Sequence, residues 1–335
     1  MARSKEDWEK YFGLTGIDIY NFLHPAPPQP IIGTSSIETA PIYPANVLVI
    51  KNTLAQVASG KIHKDPKSLI TWLEFERFNF IDAREYQSIL IRDCYDELLF
   101  HAKIWSSDGT MNSGRFLTVG GTPGIGKSLW LLYLAFLFNQ LGCIVVYHHW
   151  SCPASCFVII DGQVTINGKT NADANGRKTV YLYDTVPAIA IGDVVILVAS
   201  PRQLNRVNNE FKKSLNHQSM FMPIWSLYEL GRLSEICYKL PLSDRSKDGY
   251  DYLGGIPRRI FSTTWNSAKE ELQELISHVH NPRQLLLFSG EMWTSLPETF
   301  HDLIHVIPSD DYRKFRYQPA SPHVSYLLTL LCKGD

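Results

Sequence analysis

A charge excess of either sign is missing from this sequence. Its 335 residues carry 32 basic and 33 acidic side chains, for a formal net charge of −1. That balance gives no whole-chain support for nucleic-acid binding, and only a local patch would leave it open. Long apolar runs are missing as well. No stretch reaches the ~18 uninterrupted apolar residues of a membrane span, so no membrane role is expected. The start, Met1-Ala2-Arg3-Ser4-Lys5-Glu6-Asp7, lacks the apolar segment of a signal peptide. Cysteine is sparse: six residues (Cys94, Cys143, Cys152, Cys156, Cys237, Cys332) are scattered along the chain, as for reduced thiols rather than a disulfide framework. These absences predict an intracellular protein, cytoplasmic or nuclear. Neither a nucleophile elbow nor a metalloprotease HExxH is present. There is also no clear cluster of acids with a lysine, as a nuclease core would need.

What is present begins with 45% hydrophobic residues, enough for a sizeable core. The chain is organised around Phe116–Gly142. An apolar strand, Phe116-Leu117-Thr118-Val119-Gly120, leads into Gly121-Thr122-Pro123-Gly124-Ile125-Gly126-Lys127-Ser128 and then an apolar helix opening at Leu129. The loop fits G-x-x-x-x-G-K-[ST], the phosphate-binding P-loop, in the strand–loop–helix context its chemistry requires. Gly121, Gly124 and Gly126 permit backbone conformations closed to residues with a Cβ. Successive N–H groups then turn inward around phosphate oxygens, aided by the helix N-terminus. Lys127 would reach the β- and γ-phosphates and Ser128 would hold Mg²⁺.

Downstream, Cys143–His148, Thr179–Asp184 and Val194–Ser200 read as buried strands. Phe157–Ile160 and Gln163–Ile166, joined by Asp161-Gly162, read as a hairpin. Asp184 ends its strand where a Walker B aspartate would complete the Mg²⁺ site beside Ser128. Ser200 ends the next strand, either as a γ-phosphate sensor or as a simple strand-end serine. Ser226 and Glu229 have capping-box spacing at a helix start. Gly254-Gly255-Ile256-Pro257-Arg258-Arg259 reads as a rigid bend between helices, with Arg258 or Arg259 able to reach a phosphate.

Upstream the signals are weaker. His24–Pro30 reads as a stiff proline-rich spacer, and Val47–Ile50 as a short strand. From Ser68 the spacing of Leu69, Ile70, Trp72, Leu73, Phe75 and Phe78 predicts a helix. Asp82-Ala83-Arg84-Glu85 predicts the start of another, carrying Tyr86, Leu90, Cys94 and Leu98. The span Trp72–Trp105 either contacts adenine or simply packs. His148, His149, Cys152 and Cys156 offer zinc-ligand types, but adjacent histidines on a strand point to opposite faces. The expected organisation is an accessory region over 1–66, a nucleotide-binding core over 67–230 and a helical C-terminal lid over 231–335.

The ordered set of motifs resembles the P-loop NTPase module of Crinkler-type effectors and retrotransposon-hot-spot proteins. Its carriers are the loop 121–128, Val145-Val146-Tyr147, Tyr181–Asp184, Ile196–Pro201, Met222–Leu227 and Gly254–Arg258. The bend also looks like that of the signal-transducing branch of AAA-like ATPases. The resemblance implies a three-layer α/β fold with a mostly parallel sheet. It implies ATP or GTP with Mg²⁺, an effector or nuclease domain as partner, and a capacity to oligomerise. Delivery as a host-directed effector is the alternative localisation. The implied site is Gly121, Thr122, Pro123, Gly124, Ile125, Gly126, Lys127, Ser128 and Leu129 for the nucleotide, Ser128 and Asp184 for the metal, and Lys127, Asp184, Ser200 and Arg258 for catalysis. Because such modules precede an effector domain, a chain ending at Asp335 is expected to be the NTPase part alone. Asp184 is followed by Thr185 rather than a water-activating glutamate. The hydrolase and a nucleotide-gated switch with little turnover therefore both stay open, and the resemblance adds a third reading, a toxin-type effector acting with a nuclease domain.

Overall fold

The computed structural model describes residues 44–65, 70–79, 85–105, 111–168, 176–185, 193–200, 216–239, 241–262, 265–279, 282 and 302–334. The proline-rich spacer, the basic stretch after Pro201 and the apolar run Leu285–Phe288 lie outside them. The first described element corrects the sequence reading. Val47–Ile50 is not a strand but part of helix α1 (Ala45–Ala58). Val47, Ile50, Leu54 and Val57 are its buried face, at the three- and four-residue steps of a helix.

A small antiparallel sheet follows, ordered β1 (Lys61–Lys64), β2 (Thr71–Asn79), β3 (Glu85–Ile91). The helix expected from Ser68 is therefore a strand, and the one expected after Asp82 begins as another. Along β2, Leu73 and Phe75 are buried while Glu74 between them is exposed, the two-residue period of a half-buried strand. Only Cys94 and Leu98 of the second predicted helix are helical, in α2 (Asp93–His101).

From β4 (Arg115–Gly120) as far as the strand at Val194 the elements match the sequence reading, while the short strand that residues 222–230 suggest before the helix at Leu227 lies instead at His217–Phe221. Helix α3 (Lys127–Gln140) is followed by β5 (Ile144–His149), then the hairpin β6 (Cys156–Ile160) and β7 (Gln163–Ile166). Both hairpin turn residues, Asp161 and Gly162, have positive φ (49° and 80°), which matches the strand twist of a two-residue loop. β8 (Thr179–Asp184), β9 (Val194–Val198) and β10 (His217–Phe221) complete the set.

Among the described residues these strands form one seven-stranded sheet, ordered β10-β4-β9-β8-β5-β6-β7. The first five run parallel, and the β6–β7 hairpin adds an antiparallel edge. The fold is thus mixed α/β with a mostly parallel central sheet. β9 lies inside the parallel block, and all five of its residues are buried. Such a strand needs apolar side chains on both faces. Val194, Ile196 and Val198 join the core shared with α1 and α3. Val195 and Leu197 join a second core.

That second core is built by the C-terminal part. It contains α4 (Leu227–Cys237), α5 (Asp244–Leu253), α6 (Pro257–Ser262), α7 (Trp265–Ser277), an antiparallel ribbon of β11 (Ile304–Pro308) and β12 (Phe315–Pro319), and α8 (Pro322–Gly334). Leu303, Val306, Val324 and Leu328 pack with Val195 and Leu197. The expected helical lid therefore includes a β-ribbon, and its apolar residues cover the sheet's second face.

Candidate nucleotide site

Parallel strands that start together also end together. The register pairs Val119 of β4 with Val198 of β9, Val198 with Asp184 of β8, and Asp184 with His149 of β5. The glycine loop, Ser200, Asp184 and His149 are thereby brought to one carboxyl edge, where open α/β sheets bind ligands.

The loop leaves β4 and enters α3 through Gly126, whose φ of 96° is open to glycine at little strain. Gly124 has φ 84°, and a Cβ there would stand 2.9 Å from Ile256 Cγ2 and 3.2 Å from Arg258 Cβ. The glycine–proline bend is therefore packed directly on the loop. Among the described residues, the amides of Gly124, Gly126, Lys127 and Ser128 donate to no backbone carbonyl. The first helical turn has no side-chain cap either. Unpaired N–H groups at a helix N-terminus are a cradle for an anion.

Lys127 lies inside this cradle. Its Nζ donates to the carbonyls of Gly121 (2.8 Å) and Thr122 (3.0 Å). Burial pulls its pKa down to about 7, with Arg258 nearby acting in the same direction and Asp184 opposing. Asp184 is 2% exposed. Burial raises its carboxyl to about 6, against the stabilising hydroxyls of Ser128 and Thr185 and the charge of Lys127. Asp184, distant in sequence, thus forms one cluster with Lys127 and Ser128. Leu129 occupies the first turn of α3 beside them. Ser200 lies two residues past β9, after Ala199 has donated to the Val119 carbonyl at 3.1 Å.

The arginine pair divides. Arg258 faces the loop at Gly124 and acts on the Lys127 charge. Arg259 turns away, bridging Glu271 at 3.0 Å and also Asp302. Of the two, only Arg258 sits at the site.

Four features escaped the sequence reading. Trp225 donates its indole N–H to the Ile125 carbonyl at 2.7 Å. Thr122 Oγ1 accepts the N–H of Val306, which ties β11 to the loop at 3.0 Å. Arg92, 3% exposed, bonds Glu229 at 2.8 Å and the carbonyls of Pro223 and Ile224 at 3.0 and 2.9 Å. Its trace in the sequence is a charge directly after the apolar run Ile89-Leu90-Ile91. His149, fully buried, stands with Nε2 3.4 Å from Asp184 Oδ2. Burial lowers its pKa to about 4, so the ring is neutral. The expected capping box does form: Ser226 Oγ accepts from Glu229 N, and Glu229 Oε2 accepts from Ser226 N.

The four zinc-type residues do not gather. His148 stacks on Tyr183 with ring centroids 4.5 Å apart, while His149 faces Asp184. Among the described residues no three His, Cys, Asp or Glu side chains are placed to hold a metal. Mg²⁺ needs no such cluster, because it commonly takes one or two protein oxygens and keeps its waters. Nor is any described helix long and apolar enough to cross a membrane.

No family model matches the chain. It is similar to Crinkler effector proteins 15 and 16 of Phytophthora infestans, each at 24% identity, over 269 and 268 residues. The homology to Crinkler effectors is distant. The alignments cover 75% of this chain and 41% and 40% of the two relatives. The chain therefore spans about two fifths of the length of the curated relatives it matches.

Proposed function

We propose that this chain binds a nucleoside triphosphate, ATP or GTP, with Mg²⁺ at the glycine loop, and hydrolyses it slowly. The observation that carries the reading is the convergence of Lys127, Ser128 and Asp184 beneath unpaired loop amides. A buried lysine within charge range of a buried carboxylate that also takes the Ser128 hydroxyl suits a metal–phosphate ligand better than it suits packing.

The residues fit the metal. Asp184 Oδ2 is buried with no hydrogen-bond partner, and its carboxyl is held near its ionisation point. Ser128 and Asp184 would hold Mg²⁺, which when bound neutralises charge on the phosphates. The loop amides and Lys127 bind the triphosphate and stabilise the charge that develops on it. Arg258 is the sensor or finger, and Ser200 the candidate γ-phosphate sensor. Thr185 offers no carboxylate to activate water, which is why turnover is slow. The same observation supports the second reading, a nucleotide-gated switch. The names of the relatives support a place for either in an effector-type protein, and a nuclease or other effector domain is the partner we propose.

Phosphate release and nucleotide affinity, measured on one preparation, test this. Tight binding with slow Mg²⁺-dependent release is expected, and Lys127→Ala should abolish both. Binding without release would select the switch. Wild-type turnover in Lys127→Ala would end the reading.

A further inference from the structure

We propose that His149 is the positioning residue of Asp184: a fixed N–H donor that holds its carboxylate, and not the base that activates water. The role assigned to Asp184 rests on the nucleotide reading; the state of the ring does not.

Neighbouring groups fix the ring. The amide N–H of Ser151 points at His149 Nδ1 from 3.1 Å, and an amide nitrogen can only donate. Nδ1 therefore presents its lone pair. The Ser151 hydroxyl lies 3.0 Å from the same nitrogen. A neutral imidazole with a lone pair on Nδ1 carries its proton on Nε2. Nε2 is the atom that faces Asp184 Oδ2 at 3.4 Å. The contact falls short of an N–H···O bond, and Asp184 Oδ2 has no hydrogen-bond partner among the described residues; polar contacts at such sites often tighten only when a ligand draws them together.

The other carboxylate oxygen is held too. Asp184 Oδ1 takes the Thr185 hydroxyl at 3.3 Å. Thr185 is itself fixed, with φ 63° and its N–H on the Val198 carbonyl at 2.9 Å. Asp184 thus has the His149 ring of β5 against one oxygen and a hydrogen bond from its own turn on the other. The His149 ring cannot swing away, because it stacks near Tyr147 and is tilted against Trp150. With Nδ1 accepting and Nε2 donating, no lone pair remains to take a proton from water. Donors of this kind behind a metal-binding carboxylate typically alter metal affinity about 10–100-fold.

Two measurements test the assignment on the full chain. The first is a ¹⁵N-detected two-bond histidine spectrum, which reads the tautomer directly. An Nε2–H signature for His149 is expected, and an Nδ1–H or doubly protonated ring would overturn the proposal. This readout stands whether or not the chain takes a nucleotide, so its failure is distinct from failure of the nucleotide reading. The second compares His149→Phe, which keeps a ring without a donor, with His149→Gln, which keeps an N–H near Nε2. Binding of a fluorescent ATP analogue in chelator should be unchanged in both. His149→Phe should raise the Mg²⁺ needed for half-maximal phosphate release about 10–100-fold, and His149→Gln should recover most of that loss. A folded His149→Phe with wild-type Mg²⁺ dependence, or a folded His149→Gln as impaired as Phe, would overturn it. If His149→Phe does not fold, the tautomer and the Gln variant decide.

Discussion

Trp225 Nε1 donates to the main-chain carbonyl of Ile125 at 2.7 Å, so a residue a hundred positions downstream supports the glycine loop from below. The same residue accepts the bend, since its backbone N–H donates to Gly255 O at 2.9 Å. Arg92 lies over the indole, 4.5 Å from its centroid. Trp225→Phe keeps an aromatic ring but leaves the buried Ile125 carbonyl unpaired. A loss of about 1–3 kcal/mol is expected. Urea unfolding should show a lower midpoint with an unchanged m-value, and nucleotide affinity should fall. An unchanged midpoint would mean that the indole bond carries no weight.

Much of this site could be read from the sequence, because its central strands are uninterrupted apolar runs and its loop is a fixed glycine pattern. Val194–Val198 admits few structures other than a doubly covered strand. The ends of the chain were harder. Val47–Ile50 is apolar at every position, so it satisfies a strand and a helix equally, and packing against α3 decides for the helix. Between Leu69 and Phe78 the apolar positions match both periods, and only pairing of β2 with β1 and β3 selects two over 3.6. The contact of His149 with Asp184 depends on β5 lying beside β8, and sheet order is not written in either strand.

Arg92 offers a sharper test of packing than any loop residue. Its guanidinium is almost wholly buried and serves Glu229, Pro223 and Ile224 together. Arg92→Met strands Glu229 and two carbonyls. Breaking a buried pair from one side is expected to destabilise by about 3–5 kcal/mol. Glu229→Gln keeps one oxygen, which at the Oε2 position still accepts from Ser226 N–H and Arg92 Nη2 while the bond from Arg92 Nε is lost, so it should lose less. Paired denaturation curves check the order, and a larger loss in Glu229→Gln would refute this account of the latch.

The adjacent arginines should separate cleanly by assay. Arg259 is tied to Glu271 and Asp302, so Arg259→Ala should lower the melting temperature by a few degrees. Arg258 faces Gly124 and Lys127, so Arg258→Ala should keep the melting temperature close to that of the wild type and reduce phosphate release at least tenfold, by analogy with charge-stabilising arginines. The opposite pattern would reassign the sensor.

The final prediction concerns pH, and its sign follows from Lys127 and Asp184. Burial holds the Lys127 pKa at about 7 in the free protein. Bound phosphate oxygens would favour the ammonium and raise that value. At pH 8 binding must therefore draw a proton from the buffer, whereas near pH 6 the lysine is already charged. Affinity should fall as pH rises above 7, by up to about tenfold per unit. Asp184 bounds the other side. Its carboxyl is raised to about 6, so below that pH Mg²⁺ must displace a proton and metal binding weakens. Titration calorimetry of the wild-type protein, in buffers of different ionisation enthalpy, should register proton uptake at pH 8 that declines as the pH falls toward 7. Uptake that does not decline would place the proton on another group.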